Sequence, residues 1–236
     1  MATYLYCILA PARAEALRAD LMGIGGATVR SLVVPEAAGL EAWVATIVDA
    51  RFRVTGDALA KLALLHNEVV DAALATGRTP LPARFATCFA DDAACIADLA
   101  KRYAELHAGL ERVANAVEMA VLLVPTNGSR PAGDSRPLRN EPSAGRRYLE
   151  VVRKRTRNEE QLRIAAEQLA ARVTAAVKGI VRGETRVLSP QLLSIAHLVG
   201  RADLQRYRDT LAGVTPGPQF KILVAGPRAP YSFATD

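Results

Sequence analysis

Residues 113–124 read VANAVEMAVLLV, a run that first alternates and then turns continuously apolar, as a central strand buried on both faces does. On its C-terminal side, residues 125–142 hold four of the chain's 13 prolines (Pro125, Pro131, Pro137 and Pro142) with Gly128 and Gly133, which predicts a flexible excursion. A helix is expected from about Ser143 to Val181, because Leu162, Ala166, Leu169, Val173, Ala176 and Ile180 recur at steps of four and three. Strands follow at 184–188 and 191–199, a helix at 202–211, and a last strand at 219–225. The order β-α-β-β-α-β is that of a ferredoxin-like unit with a long helical insertion. On the N-terminal side, TYLYCILA (3–10) reads as a buried strand and 12–22 as a short helix stopped by GIGG. Runs 28–34 and 42–48 form a hairpin, and a helix runs from Asp57 to Thr76. Two prolines hold 79–89 extended as an edge strand, and a helix capped by Asp91 or Asp92 runs to about Leu110. The fold class expected is α+β in two domains, 1–112 (β-α-β-β-α with a linking helix) and 113–225, with a docked C-terminal tail at 226–236.

The chain has 236 residues, half of them hydrophobic and 23% charged, which is the balance of a packed protein and excludes global disorder. No apolar run reaches the ~20 residues that cross a bilayer. No positive charge precedes the short apolar run at the N-terminus, so a cytoplasmic protein is expected. Cys7, Cys88 and Cys95 form no CxxC pair and read as reduced, buried thiols. The net charge of +6 is unevenly spread. Residues 130–186 carry 14 basic against 7 acidic side chains, or +7, while residues 1–129 carry 11 against 14, or −3. Arg153, Lys154, Arg155 and Arg157 form a candidate partner-binding patch within that stretch, with a solvated helical face as the plainer alternative.

No catalytic, metal or cofactor motif stands out. GIGG lacks both the dinucleotide and the phosphate-loop spacing, and no GxSxG or HExxH exists. His66 falls on the apolar side of its helix and reads as a hydrogen-bonded packing residue, and His197 falls within a strand. Two readings from the residues remain open: a nucleic-acid-binding module using 130–186, and a small-molecule enzyme with a site near Arg84 and His66. Against the first, the strands 113–124 and 219–225 offer only Phe220 for base stacking.

HNEVVDAALATGRTPLPARFATCF (66–89), GRRYLEVVRK (145–154), LLSIAHLV (192–199) and GPRAPYSF (226–233), in this order, resemble the GvpL/GvpF gas vesicle protein family. TYLYCILA resembles that family's opening strand. The family commonly carries Gly where this chain has Ala86, an aromatic where it has Arg228, and Tyr where it has His197. The resemblance implies a non-enzymatic accessory or minor structural protein of gas vesicle assembly, located at the gas vesicle or in the cytoplasm. Its implied partners are the hydrophobic shell protein and other accessory proteins, with no nucleic acid, no lipid membrane and no cofactor. Structural motif residues are then His66, Pro82, Arg84, Phe85, Tyr148, Leu149, Gly226, Pro227, Pro230, Tyr231 and Phe233. Arg84 is expected to brace its strand against the helix of His66. Gly226 is expected to turn the chain out of the last strand, with Pro227 and Pro230 stiffening the exit. Tyr231 and Phe233 would then share one side of an extended latch across the domain junction.

Overall fold

The computed structural model describes residues 1–11, 17, 20–37, 39–48, 55–126, 144–189 and 192–234, with the side chains of 36, 144–151, 154, 155, 158, 188, 189 and 192 excepted. The helix expected at 12–22 falls largely outside the described residues, as does the excursion at 125–142. Two compact units emerge, one of Met1–Glu118 with Leu198–Arg201 and Gly226–Asp236, the other of Met119–His197 with Ala202–Ala225.

The first unit is built on a sheet of β1 (Ala2–Leu9), β2 (Arg30–Val34), β3 (Leu40–Ile47), β4 (Leu81–Pro82) and β5 (Cys88–Phe89). Its order is β2-β3-β1-β4, with β5 also on β1 and every pairing antiparallel. The β2–β3 hairpin turns through Pro35–Ala37 as expected, and the proline-broken segment joins the edge through β4 and β5. Strand β3 alternates strictly. Leu40, Ala42 and Val44 enter one apolar cluster, and Trp43, Ala45 and Ile47 the other. Strand β1 does not alternate strictly, because its register against β3 slips between Leu5 and Cys7. That bulge puts Tyr4, Tyr6, Cys7 and Leu9 in one cluster and Leu5 and Ile8 in the other. Helix α1 (Asp57–Ala75) covers the tyrosine side with Val69, Val70 and Ala73, while α2 (Asp92–Lys101) and α3 (Tyr103–Val113) cover the other with Cys95, Leu99, Leu106 and Leu110.

Several boundaries differ from those expected. The helix after Asp91 is two helices, broken at Arg102, whose backbone leaves the helical well (φ −97°, ψ 14°) while its side chain pairs with Asp98 and Glu105. Asp91 is the cap, accepting from the Ala94 N–H at 2.8 Å, whereas Asp92 turns to Arg30 and to the Thr3 hydroxyl, both at 2.6 Å. Val113 closes α3 rather than opening a strand, since Asn115 takes the left-handed conformation (φ 53°) that ends a helix. Strand β6 therefore spans Ala116–Pro125.

The second unit orders its four strands β7-β8-β6-β9, where β7 is Val181–Ser189, β8 Leu192–Gly200 and β9 Phe220–Arg228. Helix α4 (Ala144–Val177) has 34 residues, and α5 (Leu204–Ala212) packs on it. Of the stripe read from the sequence, Ala166, Leu169 and Val173 on α4 and Ile180 just past its end are buried, Leu162 and Ala176 are half-buried, and Ala170 and Val177 are buried beside them. Strand β9 runs on past Ala225 through a cis Gly226–Pro227 bond to Arg228, so the chain does not turn away at Gly226.

Candidate functional site

The proline-broken segment brings its side chains to β1 by simple alternation: Ala83 and Phe85 are half-buried, Arg84 and Ala86 exposed. Pro82 is buried opposite Cys7, and the Ala83 N–H donates to the Tyr6 carbonyl at 2.9 Å. Phe85 meets His66 edge-on with ring centres 6.0 Å apart. Tyr4, Tyr6 and Tyr231 complete a ring of aromatics at 5.7, 5.5 and 6.4 Å from the imidazole. The Tyr4 hydroxyl accepts from the Ala86 N–H (3.0 Å) and lies 2.9 Å from His66 Nδ1. A phenolic oxygen can accept two hydrogen bonds, so either tautomer of the imidazole keeps this contact. Burial holds the imidazole down at about pKa 4, with the Ala83 backbone pulling the other way. His66 is thus the hydrogen-bonded packing residue that its helical position suggested.

Arg84 does not make the expected brace. It points outward, and its carbonyl, not its guanidinium, accepts the Thr87 N–H and hydroxyl. Tyr4 makes the tie instead, by bridging the segment to α1. Ala86 has φ 67°, the left-handed region where an L side chain crowds the backbone. Ala86→Gly should therefore stabilise the protein by about 1 kcal/mol, read as a higher urea midpoint at unchanged slope.

A second cluster was not legible in the sequence. Glu118, fully buried on β6, accepts from Arg228 Nε and Nη2 (3.0 and 2.5 Å), from the Ser232 hydroxyl (3.0 Å) and from the Ser232 N–H (2.7 Å). Tyr231 donates to Asn67 (2.7 Å), and Arg112 donates to the Phe233 carbonyl (3.1 Å). Tyr231–Phe233 is a 3-10 turn, not an extended strand, so its two rings diverge. Tyr231 joins the cluster on the α1 side of the sheet and Phe233 the cluster on the α2–α3 side. Pro230, just before the turn, is buried. Gly226 and Pro227 belong to β9.

In the second unit, His197 on β8 lies 2.7 Å from the Tyr207 hydroxyl through Nδ1 and 3.1 Å from Glu184 through Nε2. Thr174 on α4 donates to Glu184 (2.7 Å), as does Arg186 (2.6 Å). Burial lowers the pKa of His197, offset in part by Glu184. His197 and Tyr207 are both fully buried, and the group ties α4, β7, β8 and α5 together.

Of the expected basic patch, Arg153 and Arg157 are exposed on α4, while the side chains of Lys154 and Arg155 lie outside those described, as do those of Tyr148 and Leu149 on the same helix. Two other cations of the basic stretch are paired, Arg163 with Glu160 and Glu167, and Arg186 with Glu184. Among the described residues no group of three or more His, Cys, Asp or Glu is placed to hold a metal, and no helix is long and apolar enough to cross a membrane.

The family model described as gas vesicle synthesis protein GvpL/GvpF matches residues 2–235. The chain belongs to that family. Its fold is similar to the crystal structure of the gas vesicle protein GvpF from Anabaena sp. PCC7120, at 16% identity and a TM-score of 0.73, covering all of this chain and 96% of that one. It is equally similar to that of GvpF from Microcystis aeruginosa, at 14% identity and a TM-score of 0.73, covering all of this chain and 99% of that one. Among curated proteins none matches the chain. Both neighbours share the mixed α+β architecture.

Proposed function

We propose that the protein serves gas vesicle formation as an accessory or minor structural component that binds the hydrophobic shell protein and other assembly factors, without catalysis and at the vesicle or in the cytoplasm. The match of one gas vesicle synthesis family model along residues 2–235 carries this reading. A shell subunit whose apolar face is buried only on assembly needs a partner to keep it from aggregating. A clean deletion of the gene should leave vesicles absent or malformed by electron microscopy. Normal vesicles in number and shape would overturn the role.

The finer architecture belongs to the same proposal: a ferredoxin-like second domain with a helical extension. The strand order β7-β8-β6-β9, with α4 between β6 and β7, supports it. For the partner surface, the exposed Arg153 and Arg157 lie one helical turn apart on α4. Changing both to Glu should weaken binding to the shell protein and flatten its salt dependence, with stability altered by less than about 1 kcal/mol. A pull-down at graded ionic strength checks this, and unchanged binding would return the pair to a solvated helical face.

A further inference from the structure

Three walls of the chamber around His66 are fixed. Tyr4 and Tyr6 stand on the central strand, and Phe85 on a segment bonded to that strand through Ala83 and Ala86. The fourth wall, Tyr231, belongs to the C-terminal segment, held to the unit by the Glu118 carboxylate, Asn67 and Arg112. The imidazole is only 1% exposed, and its Nδ1 meets a hydroxyl that also accepts the Ala86 N–H. A second proton would leave a cation in a site closed to water, with no carboxylate bonded to either ring nitrogen among the described residues. We propose that residues 229–234 form an acid-released clasp over His66: when the imidazole gains a proton, the tail lifts from the first unit and frees Tyr231 and Phe233 while the body of the unit stays folded.

The release has a defined direction. The neutral ring is the folded form, so the clasp is full at neutral pH and weakens as pH falls from 6.5 toward about 4. Of the groups facing this chamber, Tyr4, Tyr6 and Cys7 on β1, Cys88 on β5 and Tyr231 on the tail are all raised by burial and stay neutral over that range. Charges near the tail are Arg228, Arg112 on α3, Asp71 on α1 and Glu118 on β6. Burial raises Asp71, so it needs a control of its own.

Amide hydrogen exchange, expressed as protection factors between pH 7 and 4.5, tests the clasp on the full chain. Protection of Tyr231, Phe233 and Ala234 should fall at least about tenfold, one pKa unit's worth of coupling, while the β1–β3 amides keep theirs. His66→Gln, which retains an acceptor for Tyr4, should abolish the fall, whereas Asp71→Asn and Glu118→Gln should retain it. Should His66→Gln fail to fold, the ring of His66 can be titrated by NMR in Tyr231→Ala, where its pKa should move up toward 6.5. Tail protection constant down to pH 4.5, a fall that survives in His66→Gln, loss of β1–β3 protection together with the tail, or an unmoved His66 titration in Tyr231→Ala would each overturn the proposal.

Discussion

Truncation after Ala225 should cost about 3–5 kcal/mol of stability, chiefly because it strands a buried carboxylate. Glu118 is wholly shielded from solvent, and all of its described hydrogen bonds come from Arg228 and Ser232. Without the tail, that charge either stays buried without donors or takes up a proton, and both outcomes weaken the fold. Lost apolar burial adds to this. Ala229 and Pro230 are buried, while Tyr231 and Phe233 are half-buried and so contribute less than the ~1.5–3 kcal/mol of a fully buried side chain. Urea denaturation of the truncated and full-length chains measures the loss. Glu118→Gln placed in the truncated chain should recover part of it, because an amide costs less to bury than a carboxylate. Equal midpoints for truncated and full-length protein would show that the tail carries no stability.

His197→Ala should be the most damaging single substitution in the second unit, at about 3–4 kcal/mol, because it opens a cavity and unpairs two buried or half-buried groups. Tyr207 would lose its partner at 2.7 Å and Glu184 one of its donors, so α5, β7 and α4 would lose their common anchor on β8. The same network makes the protein acid-labile. Burial depresses His197 from its ordinary 6.5, so the unfolded state takes up this proton first and stability falls as pH drops below 6.5. Burial pushes Glu184 up, but donation from Thr174, Arg186 and His197 outweighs it, so this carboxyl sits below its ordinary value. Its contribution is present above the ordinary carboxylate range and is lost as pH falls through the lowered value. Urea midpoints from pH 8 to 4 should therefore decline in the wild type and decline less steeply in His197→Gln. Parallel pH profiles for the two would exclude this role for the imidazole.

Much of the architecture is legible because it is written in local periodicity. The strand-like run of β3, the stripe of α4 and the prolines at 80 and 82 each depend on residues a few positions apart, and each led to the right element. The placement of His66 followed likewise, from its helical neighbours Leu62, Val69 and Val70. The misreadings share a cause. Tyr231 and Phe233 were assigned to one side on the assumption of extended backbone, but a 3-10 turn changes which residues share a face. Gly226 looked like a turn residue, yet β9 continues through it. Arg84 looked like a brace, yet alternation from the half-buried Phe85 sends it outward. Choosing between Asp91 and Asp92 as the cap was beyond the sequence, because the choice rests on Arg30 and Thr3, far away in the chain.

The sequence by itself determined the types and order of most of the described strands and long helices, and the family, since burial patterns and motifs recur over short spans. Only the tertiary structure decided which distant polar groups meet: Glu118 with Arg228 110 positions later, Tyr4 with His66 62 positions later, Tyr231 with Asn67. A buried carboxylate, imidazole or hydroxyl must find a partner once water is removed, and which partner it finds is fixed by how the strands and helices stack, not by any spacing along the chain.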